Sequence, residues 1–185
     1  MGGQLSQRIA PAAEGVPGLP PLNIFRTLAR NEPLSRGFLA LGGHVLRGGG
    51  IPAREREIVI LRVGWRAQSE YEFGQHAIIG QDAGLSADEV SALADSGPLA
   101  WSDDDAALIA MVDDLCDDDV VSDETWARLA ARWSPEQLLD LLVLAGYYRL
   151  VSGLLNSAGV ALEDGTSGWP AGVAARLQAP REQGR

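Results

Sequence analysis

One stretch restricts the fold more than any other, Arg54 to Gly84, REREIVILRVGWRAQSEYEFGQHAIIGQDAG. Its first part sets Glu57, Ile58, Leu61 and Val63 to Trp65 at near-helical spacing, with Arg54, Arg56 and Arg62 on other faces. A polar break from Arg66 to Ser69 leads into a second amphipathic run carrying Tyr71, Glu72, Phe73, His76, Ile78 and Ile79. Two helices joined by so short a turn pack antiparallel to hide their apolar stripes. Glu72 and His76 are four residues apart and so project from one face of the second helix. Glu57, about one turn inside the first helix, can face them across the hairpin. An acid and an imidazole among Tyr, Phe and Trp form a setting for shifted proton affinities and proton transfer.

The remaining chain reads as helices punctuated by strong stop signals. Residues 1–21, rich in Gly, Pro and Ala, read as an extended or flexible arm. A short amphipathic helix follows over Leu22 to Arg30, ended near Asn31-Glu32-Pro33. Another is expected over Leu34 to Leu46, loosened by Gly42-Gly43, which also permit close approach of a neighbour. After the hairpin, Ser86-Ala87-Asp88-Glu89 is a capping box whose helix runs to about Asp95. Ser102 and Ser122 cap two further helices, and Ser134-Pro135-Glu136-Gln137 opens the last, expected to reach about Leu162. That helix is apolar on most sides, so it is expected at the centre or against another subunit. From Glu163 to Arg185 the chain reads as a tail with one short turn at Ala171 to Leu177. No alternating strand pattern competes, so the class is all-α with about eight helices. The acidic clusters Asp103 to Asp105 and Asp117 to Asp119 suit helix ends and lack the spaced ligands of a calcium loop.

Charge and cysteine content narrow the function. Against 15 basic residues stand 25 acidic ones, a formal net charge of −10. That argues against nucleic-acid binding, which needs a basic footprint, and against docking on an anionic membrane. Met1 to Pro20 lacks the charge and apolar run of a signal peptide. The most apolar stretch, Leu138 to Leu162, is interrupted by Asp140 and Arg149, leaving less than the roughly 18 uncharged residues of a membrane span. With Cys116 alone, neither an internal disulfide nor a CxxC site is possible, and the simplest compartment is the cytoplasm.

Each candidate residue has a plainer alternative. Glu72 and His76 would make a surface i,i+4 pair, were the face exposed. If it is buried, the carboxylate orients the imidazole and leaves the other ring nitrogen for substrate. Arg54, Arg56 and Arg62 can pair with Glu55 or Glu57 at the surface, or one can bind a substrate carboxylate bidentately. His44 reads as a packed or capping histidine, although with His76, Glu57 and Glu72 it would complete a two-histidine, two-carboxylate metal set. Tyr147 and Tyr148 read as core or interface residues, with one of them lining the pocket as the alternative.

Ile51-Pro52-Ala53-Arg54-Glu55-Arg56-Glu57, then Ser69-Glu70-Tyr71-Glu72 and His76, resemble the core of the carboxymuconolactone decarboxylase family, which includes the alkyl hydroperoxidase D proteins. Asn156-Ser157-Ala158-Gly159-Val160 adds to the likeness, which covers roughly Leu22 to Leu162. The resemblance implies a helical domain over 22–162, with an alkyl hydroperoxidase D-like bundle around a central antiparallel hairpin. Hydroperoxidase members carry Glu, then C-x-x-C, then His; here Glu57 and His76 match, but Ser69 and Glu72 stand at the cysteine positions. A thiolate route therefore has no nucleophile. What remains is decarboxylase-like chemistry on a small carboxylated lactone or related unsaturated acid, without cofactor or metal. By this resemblance His76 is the general acid/base, Glu72 orients it, and Glu57 is a second proton carrier or polariser. Arg54, Tyr71, Ser69 and His44 are the expected substrate-binding residues. Family members assemble, so a homo-oligomer (dimer, trimer or hexamer) is expected. The competing readings are a non-catalytic ligand-binding or scaffold oligomer, and a metal-assisted lyase or oxygenase.

Overall fold

A single buried helix, α3 (Ala53–Arg66), organises the chain, because Ile58, Val59, Ile60 and Leu61 have no contact with solvent on any face. The computed structural model describes residues 7–94 and 99–173. Around α3 pack α4 (Glu70–Asp82), α5 (Ala87–Leu93), α6 (Asp103–Asp117) and the long α8 (Pro135–Ala158). The outer elements are α1 (Asn23–Leu28), α2 (Glu32–Gly43), a π-helical turn over His44–Gly48, and α7 (Asp123–Arg132). All regular structure among the described residues is helical.

Local chemistry explains most of the boundaries. The α3–α4 connection is tight: Gln68 takes a positive φ of 51°, and Ser69 N–H donates to the Gly64 carbonyl at 2.8 Å. Capping boxes at Ser86 and Ser134 and side-chain caps at Ser102 and Ser122 start the four later helices where the serines stand. Of the boundaries that differ from the sequence expectation, two have a clear local cause. Helix α2 starts at Glu32, because Asn31 accepts from the Leu34 N–H and Pro33 occupies the first turn, where its missing N–H costs nothing. Helix α8 stops at Ala158, because Gly159 adopts the left-handed conformation (φ 67°) and Val160 N–H bonds back to Leu155. The expected extension of α5 to Asp95 and the turn beyond Val173 lie outside the described residues.

Arginines on α3 turn what would be surface charge into struts. Arg62 lies buried and grips both oxygens of Asp113 at 2.8 and 2.7 Å, with a further bond to the Leu93 carbonyl. Arg66 reaches Asp113 and Asp117, so the acid-rich end of α6 is neutralised by α3. Gly42 lets α2 approach the Tyr147 hydroxyl so closely that no Cβ fits between them.

Both ends of the described chain lie on the bundle. Arg8 and Ile9 donate backbone N–H groups to the Ala158 carbonyl, and the side chains of Arg26 and Arg30 hold carbonyls of Ala10 to Ala12. Beyond α8 the chain crosses α4. Glu163 accepts from Tyr71 Oη (2.8 Å), Gln75 Nε2 (2.5 Å) and Asn23 N–H (2.6 Å). Trp169 packs on Trp65 and Phe73, and Gly74 leaves room for the Ser167 carbonyl. The segment that reads as a loose tail is thus tied down as far as Val173.

Helix α8 is the one described helix with the length and apolarity to cross a bilayer, yet half of its most apolar window is buried inside the subunit. Its opposite side presents Leu139, Val143 and Leu150 to solvent.

Asp113→Ala is expected to destabilise the protein by roughly 2–4 kcal/mol, because it strands a buried guanidinium. Chemical denaturation compared with the double variant Arg62→Met/Asp113→Ala checks this: the double variant should recover part of the loss.

Candidate functional site

The antiparallel α3–α4 hairpin brings Glu57 opposite Glu72 and His76. The His76 ring lies between the two carboxylates, with Nδ1 2.6 Å from Glu57 Oε2 and Nε2 3.1 Å from Glu72 Oε1. Glu57 is wholly buried, and Glu72 and His76 nearly so. Tyr148 of α8 closes the group, its ring meeting the imidazole edge to face at 5.0 Å.

Burial alone pulls an imidazole toward its neutral form. Here the hydrogen bond to Glu57, then that to Glu72, then the two negative charges outweigh it, and the His76 pKa is raised to about 10. His76 is therefore held as an imidazolium at neutral pH, its Nδ1–H donating to Glu57 and its Nε2 in ion-pair contact with Glu72. This corrects one expectation. Glu72 does not leave a ring nitrogen free for substrate, because Glu57 occupies the other. The group is arranged as a proton donor. Burial, reinforced by the charges of Glu72 and Glu57, holds the Tyr148 hydroxyl protonated as well.

The expected substrate-binding residues are not gathered at this cluster. Arg54 makes a fork onto Asp105 (3.0 and 3.1 Å) and bonds Glu89 at 2.5 Å, so its guanidinium joins α3 to α5 and α6. These contacts raise its pKa, the Asp105 bond most, against the opposing effect of burial. Tyr71 turns toward α1 and Glu163, accepting from the Ile24 N–H at 3.3 Å. Ser69 stands at the N-cap of α4 with its Oγ buried and without a partner. His44 is half exposed and bonds Asp140 at 2.9 Å, near the start of α8. Asp140 lies eight residues before Tyr148, about 12 Å along the helix, so the two histidines are not assembled as a metal pair. No cluster of three metal-binding side chains occurs among the described residues. Cys116 sits half-buried on α6.

The cation at the cluster is Arg56, which the sequence leaves undistinguished among its neighbours. Its Nε lies 3.7 Å from Glu57 Oε1, and both atoms are buried without a hydrogen-bond partner. Adjacency to Glu57 was the available signal. Tyr148 is one of two adjacent tyrosines that the sequence allows at the pocket, and which of them meets His76 depends on how α8 crosses α4. Two cavities, of about 350 Å³ between α2 and α8 and about 410 Å³ between residues 15–17 and α2, are lined by other residues.

Residues 32–113 match the model of the carboxymuconolactone decarboxylase family. This segment of the chain belongs to that family. The carboxymuconolactone decarboxylase segment runs from α2 into α6 and contains Arg56, Glu57, Glu72 and His76, whereas Tyr148 lies beyond it. Solved structures share the alkyl hydroperoxidase D-like fold. One is a protein of unknown function from Agrobacterium tumefaciens, 16% identical, covering 74% of this chain and 94% of that one, with a TM-score of 0.68. Another is an alkylhydroperoxidase AhpD core, a peroxidase-related protein from Ralstonia eutropha, 19% identical over 76% of each chain (TM-score 0.69). A third is a debrominase, a cysteine-to-alanine form with bound 2,3,4-tribromopyrrole, 15% identical over 84% of this chain and 81% of that one (TM-score 0.66). Among curated proteins none matches this chain.

Because the folded pKa of His76 is raised above its unfolded value of about 6.5, its contribution to stability is complete below that pH. It is lost as pH rises toward about 10. Denaturant unfolding of wild type and His76→Gln across pH 6 to 10 checks the sign. The stability gap between them should narrow as pH rises.

Proposed function

We propose that the protein is a carboxymuconolactone decarboxylase-like lyase that works by general acid/base chemistry without a cofactor. The observation that supports this best is a buried histidine ring set between two carboxylates, 2.6 Å from Glu57 and 3.1 Å from Glu72. In the proposed reaction a small carboxylated lactone or related unsaturated acid loses CO2. The carbon–carbon bond breaks, and its electron pair spreads into the conjugated system as a dienolate. His76 then gives one N–H proton to carbon. The neutral imidazole, still between Glu57 and Glu72, takes a proton from water and is ready again. Glu57, wholly buried, keeps the ring charged and oriented; Glu72, on the same helix, is the partner that yields when substrate approaches Nε2.

A second reading is a non-catalytic ligand-binding or scaffold oligomer. It is favoured by the satisfaction of both His76 nitrogens within the closed subunit. A panel of unsaturated lactone acids separates the two, with binding and CO2 release measured together. The lyase reading expects CO2 release, lowered roughly 10²- to 10⁴-fold in His76→Gln and strongly in Glu57→Gln. Binding of the same acids with no CO2 evolved would favour the scaffold. Cysteine-dependent hydroperoxidase chemistry lacks its thiols at Ser69 and Glu72.

The proposal extends to a cytoplasmic homo-oligomer (dimer, trimer or hexamer). In its support, Leu139, Val143 and Leu150 on α8 and Leu34 and Leu41 on α2 form exposed apolar surface beside the α2–α8 groove. Light scattering on the intact protein is expected to give a multiple of 19.6 kDa, falling to a single chain in Leu139→Glu/Leu150→Glu.

A further inference from the structure

Four arginines lie along α3, and three are consumed by acids on neighbouring helices: Arg54 by Asp105 and Glu89, Arg62 by Asp113, Arg66 by Asp113 and Asp117. Arg56 is different. Its one hydrogen bond is a long contact from Nη1 to the Ile51 carbonyl, at 3.4 Å, and its buried Nε donates to nothing. A buried guanidinium N–H without an acceptor is uncommon enough to need a reason. Its setting supplies one. Glu57 holds His76 with Oε2 and lies beside Arg56 with Oε1, so one carboxylate spaces the imidazolium and the guanidinium as neighbours. What exposure the cluster retains is mostly theirs: the side chains are 9% exposed for His76 and 17% for Arg56, against none for Glu57. A molecule arriving from solvent meets the two cations first.

We propose that Arg56 is the oxyanion-stabilising residue of this site and selects acids whose developing carbanion can delocalise onto a carbonyl oxygen. The inference rests on the lyase reading above. A cation held against the departing carboxylate would stabilise the ground state and oppose CO2 release. The same cation placed where charge appears lowers the barrier. As the bond to the carboxylate breaks, its electron pair moves through the conjugated system to the carbonyl oxygen facing Arg56. CO2 leaves, and the His76 N–H protonates carbon. The substrate class is therefore a β,γ-unsaturated or similarly conjugated carbonyl acid. An isolated saturated acid gives Arg56 no oxygen on which charge can grow.

Steady-state CO2 release by Arg56→Met and Arg56→Lys proteins, using the lactone acid most active with wild type, tests this. The expected result is a fall in kcat of about 10²- to 10³-fold for Arg56→Met with KM little changed. Added guanidinium chloride should restore part of the activity. Arg56→Lys keeps the charge and thus the fold, and is expected between the two because an ammonium lacks the planar N–H edge. Wild-type kcat in either variant, or a loss confined to KM, overturns the role of Arg56, and if His76→Gln is dead in the same assay the lyase reading survives. No CO2 from wild type with any acid overturns both.

Discussion

Everything at the centre of this subunit depends on charge balance between two helices that meet at a three-residue turn. Glu57 is driven fully into the interior by the apolar residues on either side of it, and an uncompensated carboxylate there would cost several kcal/mol. His76 supplies the compensation by carrying a proton. Glu72 adds a second negative charge, which fixes that proton more firmly, and Arg56 adds a second positive one. Two carboxylates and two cations leave the group near neutrality, although every member is a charged side chain inside a helical core.

The same logic is repeated along α3 with a different outcome. Arg54, Arg62 and Arg66 are paired at hydrogen-bond distance with acids on α5 and α6, and these forks fix α3 among its neighbours. At Arg56 and Glu57 the pairing stops short at 3.7 Å, with two complementary atoms unsatisfied. Structural ion pairs and the proposed reactive group therefore share one helix, and they differ by whether each donor has found its acceptor.

The fold was legible where chemistry is local. Serine caps and the 3.6-residue apolar spacing mark the helices and the central hairpin. The misplaced ends have local causes too: Pro33 opens α2 instead of closing α1, and Gly159 terminates a helix whose apolar run continues. Within the site, Glu57, Glu72 and His76 could be brought together from spacing along two helices joined by a short turn. Their bonding could not, because which carboxylate takes which ring nitrogen depends on the rotation of α3 against α4. Arg54 was expected to bind substrate, yet the acids that claim it come from α5 and α6, 35 and 51 residues away. Which of Tyr147 and Tyr148 meets the imidazole was undecided for the same reason. Long-range side-chain partners are set by helix packing, on which periodicity in a single segment is silent.

A proton held this tightly is suited to a reaction that generates a strongly basic carbon, since the donor stays charged until such a base appears. It also distinguishes this group from an ordinary histidine pair. The direct test is nitrogen NMR of the His76 ring in protein labelled at histidine, followed from pH 6 to 11. The account requires both ring nitrogens protonated at pH 7.5 with titration near 10; a neutral ring at pH 7.5, titrating near the ordinary histidine value of about 6.5, would contradict it.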